Sequence, residues 1–126
     1  MGDQKIHALT RKIFLKIAPP GNGDIIGDQE RILNALSQEY GMVCFSRRLL
    51  KKVYPLCREA NWEISLTLVK NGTTWELVEL EAGDQRHRHF GVAVDLGSTS
   101  VAMKMVDLNT GKVLGEESIL NDQIQY

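Results

Sequence analysis

Asn71-Gly72 separates two runs of alternating apolar and polar residues, and no other dipeptide in the chain restricts its folding as tightly. Before it, Trp62, Ile64, Leu66 and Leu68 alternate with Glu63, Ser65 and Thr67. Period two reads as a strand with one apolar face. After it, Thr74 to Leu80 places Trp75 and Leu77 on one face, and the less regular end of this run admits a bulge. Asn-Gly favours a type I′ turn, because both central residues then need positive φ. An antiparallel hairpin is therefore predicted at the centre of the chain.

The residues before the hairpin supply a further strand and two helices. Ile13, Leu15 and Ile17 alternate with Lys12, Phe14 and Lys16, and Pro19-Pro20-Gly21-Asn22-Gly23 ends that strand. Gly27 or Asp28 caps a helix with Ile32, Leu33, Leu36 and Tyr40 on one side, and Gly41 closes it. Ser46 reads as the N-cap of a second helix with Leu49, Leu50, Val53, Leu56 and Cys57 inward, ending at Asn61. Pro55 should kink this helix or split it, since proline lacks an N–H and collides with the preceding turn. The sum is a compact β-α-α-β-β module over 11–82, after a disordered or cloning-derived tail at 1–10. The polar, non-periodic stretch 83–89 reads as an interdomain linker.

Beyond it, three strand-like runs (Gly91–Asp95, Ser100–Asp107 and Lys112–Ile119) joined by short turns predict an antiparallel meander over 90–126. The fold class is α+β. The first turn, Asp95-Leu96-Gly97-Ser98-Thr99, has the composition of a phosphate-binding hairpin. Gly97 lets backbone N–H groups approach an anion. Ser98 and Thr99 bring hydroxyls, and Asp95 brings a carboxylate able to hold a Mg²⁺-bound water. Asp and Gly also occupy ordinary hairpin turns for local reasons, so the same residues fit a purely structural turn.

Composition excludes several classes. The formal net charge of −1 gives no pull toward nucleic acid or anionic membrane. No apolar run approaches the roughly 20 residues of a membrane span, and the polar N-terminus lacks the core of a secretion signal. The only cysteines, Cys44 and Cys57, form no CxxC pair and cannot hold an iron–sulfur cluster alone. They read as reduced thiols in a cytoplasmic protein.

Phe90–Tyr126 resembles the first phosphate motif and first three strands of the actin-like ATPase superfamily. Gly91-Val-Ala-Val-Asp-Leu-Gly-Ser-Thr-Ser, Val106-Asp-Leu-Asn-Thr-Gly-Lys-Val-Leu114 and Asn121-Asp-Gln-Ile-Gln-Tyr126 narrow the likeness to the ATP-dependent reductive activators of corrinoid proteins. Arg11–Pro20 is similar to that family's linker strand, and Asp28–Ile32 and Leu56–Trp62 resemble its middle domain. The resemblance implies a fragment of a larger protein: linker and middle domain at 11–82, then the truncated opening of an actin-like ATPase domain. In the family, a [2Fe–2S] ferredoxin domain precedes this region and the ATPase domain follows. The intact protein uses ATP to drive reduction of corrinoid cobalt from Co(II) to Co(I) in methyltransferase systems. Carried over, Asp95 would organise Mg²⁺, and Gly97, Ser98 and Thr99 would contact phosphate. Ser98 stands where many members have threonine, which keeps the hydroxyl. The chain departs from the family in lacking cluster cysteines, a second phosphate motif and an adenosine motif, so it holds half a nucleotide site and is not catalytic alone.

Two other readings stay open: a regulatory module of another actin-like ATPase or sugar-kinase relative, and a small non-catalytic binding domain. Arg47-Arg48-Leu49-Leu50-Lys51-Lys52 is a solvated helix face or a docking surface for an acidic partner such as the corrinoid protein. His87-x-His89 reads as solvated linker rather than a metal pair, and His7 is remote from it. Trp62 and Trp75 read as core or cross-strand packing. Glu116-Glu117 should face solvent on at least one side. A truncated meander leaves an open strand edge, so Lys112–Ile119 should pair with another chain or be poorly ordered.

Overall fold

The computed structural model describes residues 8–121. The tail at 1–7, His7 with it, and the lead-in at 122–126 lie outside the described residues. The chain divides into two compact units, Met1–Arg86 and His87–Tyr126.

In the first unit the elements run β1 (Thr10–Lys16), α1 (Asp28–Tyr40), β2 (Val43–Phe45), a 3₁₀ turn (Arg47–Leu49), α2 (Leu50–Glu59), β3 (Glu63–Asn71) and β4 (Thr74–Ala82). They form one sheet in the order β1-β3-β4-β2. β1 and β4 flank β3 antiparallel, while β2 joins the outer edge of β4 parallel to it. The predicted β-α-α-β-β module is present, with β2 added. Three residues between a helix-closing glycine and a new helix are too few to show a period.

One sheet face carries the core. Ile64, Leu66 and Leu68 of β3 meet Leu77 and Leu80 of β4, and Ile32, Leu36, Val53 and Cys57 close over them from the helices. Leu77 and Leu80 are three residues apart, so strict alternation would send them to opposite faces. The register slips between Thr67 and Leu68, leaving Val78 as an extra residue on β4, and this bulge returns both leucines to the core. The hairpin turn also differs from the prediction. Asn71 pairs with Thr74, Gly72 has φ 64°, and neither Asn71 nor Thr73 has positive φ. Glycine at the first central position is the pattern of a type II′ turn, so the turn sits one residue later than Asn-Gly suggests.

α1 starts at Gly27, whose carbonyl accepts from the Arg31 N–H, and ends at Gly41, φ 67°, whose N–H donates to the Ser37 carbonyl. Ser46 precedes a 3₁₀ turn and makes no side-chain cap. α2 then runs unbroken through Pro55. The predicted break falls instead ahead of Leu50, where the helix tightens. The end of α2 is a Schellman motif. The Trp62 N–H donates to the Cys57 carbonyl at 2.8 Å, and the Asn61 N–H to the Arg58 carbonyl at 3.2 Å. Asn61 (φ 51°) and Trp62 (φ 61°) are both left-handed. Trp62 thus closes the helix cap through its N–H, while its carbonyl accepts from the Ile17 N–H at 3.0 Å just beyond the first pair of the β1–β3 ladder. Both tryptophans pack with the core, Trp62 buried and Trp75 edge-on to Tyr40 with ring centroids 5.7 Å apart.

The second unit is a meander of β5 (Phe90–Leu96), β6 (Ser100–Asp107) and β7 (Val113–Leu120), ordered β5-β6-β7 and antiparallel. The Asp107 carboxylate accepts from the Asn109 N–H, and Gly111 (φ 77°) turns the chain back. The register Val92↔Met105, Val94↔Met103 and Leu96↔Val101 gathers the apolar side chains on one face. Every buried apolar residue among the described residues belongs to the first unit.

Candidate phosphate loop and docking surface

The loop 97–99 is held at both ends by backbone chemistry. The Gly97 N–H donates to the Ser100 carbonyl at 2.9 Å. A Cβ on Gly97 would lie 2.7 Å from that same oxygen, so only glycine allows the approach. Asn121 clamps the other side: its amide Nδ2 donates to the Gly97 carbonyl at 3.0 Å, and its backbone N–H to the Thr99 carbonyl at 2.9 Å. The Gly97 groups assigned by sequence to a phosphate are thus engaged within the hairpin. Ser98 and Thr99 remain exposed at its tip. Asp95, next to last in the edge strand β5, pairs with Ala102, its exposed side chain on the face opposite Val94 and Leu96. One carboxylate and two hydroxyls suit a Mg²⁺ that keeps most of its waters, not an all-protein cage. Among the described residues no three His, Cys, Asp or Glu side chains converge as a metal site. Asn121 is the loop residue that sequence reasoning missed. An asparagine more than twenty positions on carries no local signal.

The basic stretch divides in two. Arg48 donates to the Val78 carbonyl at 3.0 Å, and Lys52 pairs with Glu79 at 2.5 Å. Burial would raise the Glu79 carboxyl, but the Lys52 ammonium and the Leu80 N–H outweigh it, and its pKa lies below the usual value. Arg47 and Lys51, one helical turn apart, are exposed and make no ion pair or side-chain hydrogen bond among the described residues. Leu50 and Tyr54 lie exposed beside them.

The histidines separate: His87 is exposed, whereas His89 is buried, so the expectation of two solvated side chains fails for His89. The His89 carbonyl accepts from the Leu108 N–H at 2.8 Å, which ties this residue to the second unit's sheet just ahead of β5. Cys44 is exposed and Cys57 is buried; both are free thiols. Burial, then the Asp28 carboxylate, pushes the Cys57 thiol up to about 11. The first half of the predicted linker, Gly83–Arg86, is tied to the first unit. Ser65 Oγ donates to the Gly83 carbonyl at 2.7 Å and accepts from the Gln85 N–H at 2.8 Å, and Arg86 pairs with Asp84.

The family model described as the RACo linker region matches residues 2–87, and the one described as the RACo middle region matches residues 90–126. The chain belongs to the RACo family. The two RACo matches part where the compact units part, and the Asp95–Thr99 hairpin falls within the stretch matched as the middle region. A solved structure titled as a reductive activator for corrinoid, iron-sulfur protein is 26% identical, with a TM-score of 0.79 over 98% of this chain. This RACo-family chain covers 20% of that structure. No curated protein matches it. No helix among the described residues is long and apolar enough to cross a membrane.

Proposed function

We propose that the chain serves as the linker and middle segment of a reductive activator that uses ATP and a [2Fe–2S] ferredoxin domain to return a corrinoid protein from Co(II) to Co(I). The observation that carries this reading is the likeness of nearly the whole chain to the solved activator, together with the paired linker and middle matches. The segment's own task is to space the flanking domains and dock the corrinoid protein. Arg47 and Lys51 are the contact charges, because Arg48 and Lys52 are already engaged by β4. The free thiols suit a cytoplasmic setting.

Calorimetric titration of the chain with a corrinoid iron–sulfur protein tests the docking role. Arg47→Glu with Lys51→Glu should weaken binding about tenfold or more and flatten its salt dependence. Arg48→Ala should act mainly through stability. Equal binding by wild type and the charge-reversed variant removes the docking role.

The loop reading is that Asp95, Ser98 and Thr99 contribute one side of an ATP·Mg site, with Gly97 shaping the turn. Weak Mg·ATP binding by the chain, lost in Asp95→Asn and Thr99→Ala, supports it. A specific observation favours a second reading, in which the loop is structural: the Gly97 N–H and the Gly97 and Thr99 carbonyls are all engaged inside the hairpin. Mg·ATP binding that ignores both substitutions, or no binding at all, selects the structural turn.

A further inference from the structure

Asn121 acts on the loop through one peptide plane. Its Nδ2 donates to the Gly97 carbonyl at 3.0 Å, and its backbone N–H donates to the Thr99 carbonyl at 2.9 Å. The Gly97 carbonyl and the Ser98 N–H belong to the same planar trans peptide, so they point in opposite directions. Holding that carbonyl against Asn121 therefore turns the Ser98 N–H away from Asn121. Neither the Ser98 nor the Thr99 N–H donates to a group among the described residues. Two adjacent donors, with the carbonyls of Gly97 and Thr99 tied back, make a rim that suits an anion.

This peptide needs such a clamp. Position 97 must be glycine, because a Cβ there would lie 2.7 Å from the Ser100 carbonyl oxygen. Glycine restrains the rotation of its own peptide less than any other residue. The Asn121 amide is the bond that fixes which end of the Gly97–Ser98 peptide faces out. We propose that Asn121 is a positioning residue of the phosphate loop: it aims the Ser98 N–H at the terminal phosphates of ATP, acting through the peptide rather than on the ligand. This role rests on the loop reading, in which Asp95, Ser98 and Thr99 face ATP·Mg. The same bonds that stiffen the turn then sort its donors from its acceptors.

The test is an NMR titration of the isotope-labelled chain with Mg·ATP, followed at the Ser98 and Thr99 amides. In the wild type both amides should shift together. Asn121→Ala should weaken binding about tenfold, the effect of one hydrogen bond to a charged oxygen. Without ligand, its Ser98 amide should broaden as the peptide samples both orientations, read by relaxation dispersion. Amides at the centre of β6 should keep their exchange protection, which a merely structural role would not allow. Asn121→Asp keeps the side chain's size and the backbone bond to Thr99, but its carboxylate offers the Gly97 carbonyl no donor. Its ligand-free Ser98 amide should broaden in the same way, even where Asn121→Ala fails to fold. Wild-type Ser98 and Thr99 amides that ignore Mg·ATP remove the loop reading, and this role with it. Binding that is weakened by Asp95→Asn and Thr99→Ala but held within about twofold by Asn121→Ala overturns the positioning role alone. So does a Ser98 amide that stays sharp in both variants, or a loss of binding that tracks lost protection across β6.

Discussion

Removing the Ser65 hydroxyl should cost the first unit about 2 kcal/mol, since two hydrogen bonds at about 1 kcal/mol each are lost. Ser65 is 1% exposed, on the sheet face away from the helices, and its Oγ both donates to the Gly83 carbonyl and accepts from the Gln85 N–H. Ser65→Ala leaves both backbone groups without that partner in a site where water has little access. Both tryptophans, Trp62 and Trp75, lie in the first unit, so fluorescence during urea unfolding follows that unit alone. With a slope near 1 kcal/mol/M for a unit of this size, the midpoint should fall by roughly 2 M at unchanged slope. Hydrogen exchange locates the effect: the Gln85 amide should lose protection, while amides at the centre of β3 lose only what the global change dictates. A midpoint shift under about 0.5 M with Gln85 still protected would refute the reasoning, because the hydroxyl would then not be what fixes Gly83–Arg86 to the sheet.

Other substitutions test separate features. Asn61→Ala should lose about 1 kcal/mol, from placing a β-carbon residue with no side-chain compensation in the left-handed C′ position, while Asn61→Gly should lose nothing; thermal unfolding followed by tryptophan fluorescence decides. Gly97→Ala should destabilise the second unit by about 1–3 kcal/mol, since the new Cβ meets a backbone oxygen rather than a movable side chain, read as lost amide protection across β5 and β6. The raised thiol of Cys57 makes an alkaline prediction. The unfolded thiol ionises first, so stability is full below pH 9.0 and declines as pH rises toward about 11, by up to about 2 kcal/mol; Cys57→Ala should abolish this slope in urea titrations. At pH 8 a thiol reagent should modify Cys44 and spare Cys57 until the unit unfolds.

Where the chain repeats a period, sequence alone reveals the fold. The alternation of β1 and β3, the apolar stripe of α1, the glycine at its end and the three strands of the second unit all follow from spacing. Spacing shows that the end of β4 admits a bulge but not which residue is the extra one. Val78 inserts into β4 and reverses the parity of everything beyond it, so Leu80 faces the core at a position that alternation assigns to solvent. Trp62 begins an apparent strand pattern, yet its N–H is taken by the Cys57 carbonyl at the end of α2, while its carbonyl accepts from the Ile17 N–H. The candidate loop is legible as a turn, with its glycine required by the approach to Ser100. Its clamp, Asn121, and the split of the basic stretch into engaged and free charges depend on contacts between distant residues, and local spacing carries none of them.

The strand order of the first unit also sets a schedule for the ribosome. β1 pairs only with β3, and β2 only with β4, so the stretch through Phe45 emerges with two strands whose partners are not yet made. Nothing of the sheet can close until the hairpin around Gly72 has been synthesised through Ala82. From then on β1 and β2 add to opposite sides of it, each closing a loop of tens of residues, the kind of long-range pairing that slows folding. Until then Ile13, Leu15 and Phe45 are exposed on unpaired segments, and Arg11, Lys12 and Lys16 are the charges that keep the first of them from pairing with a neighbouring chain.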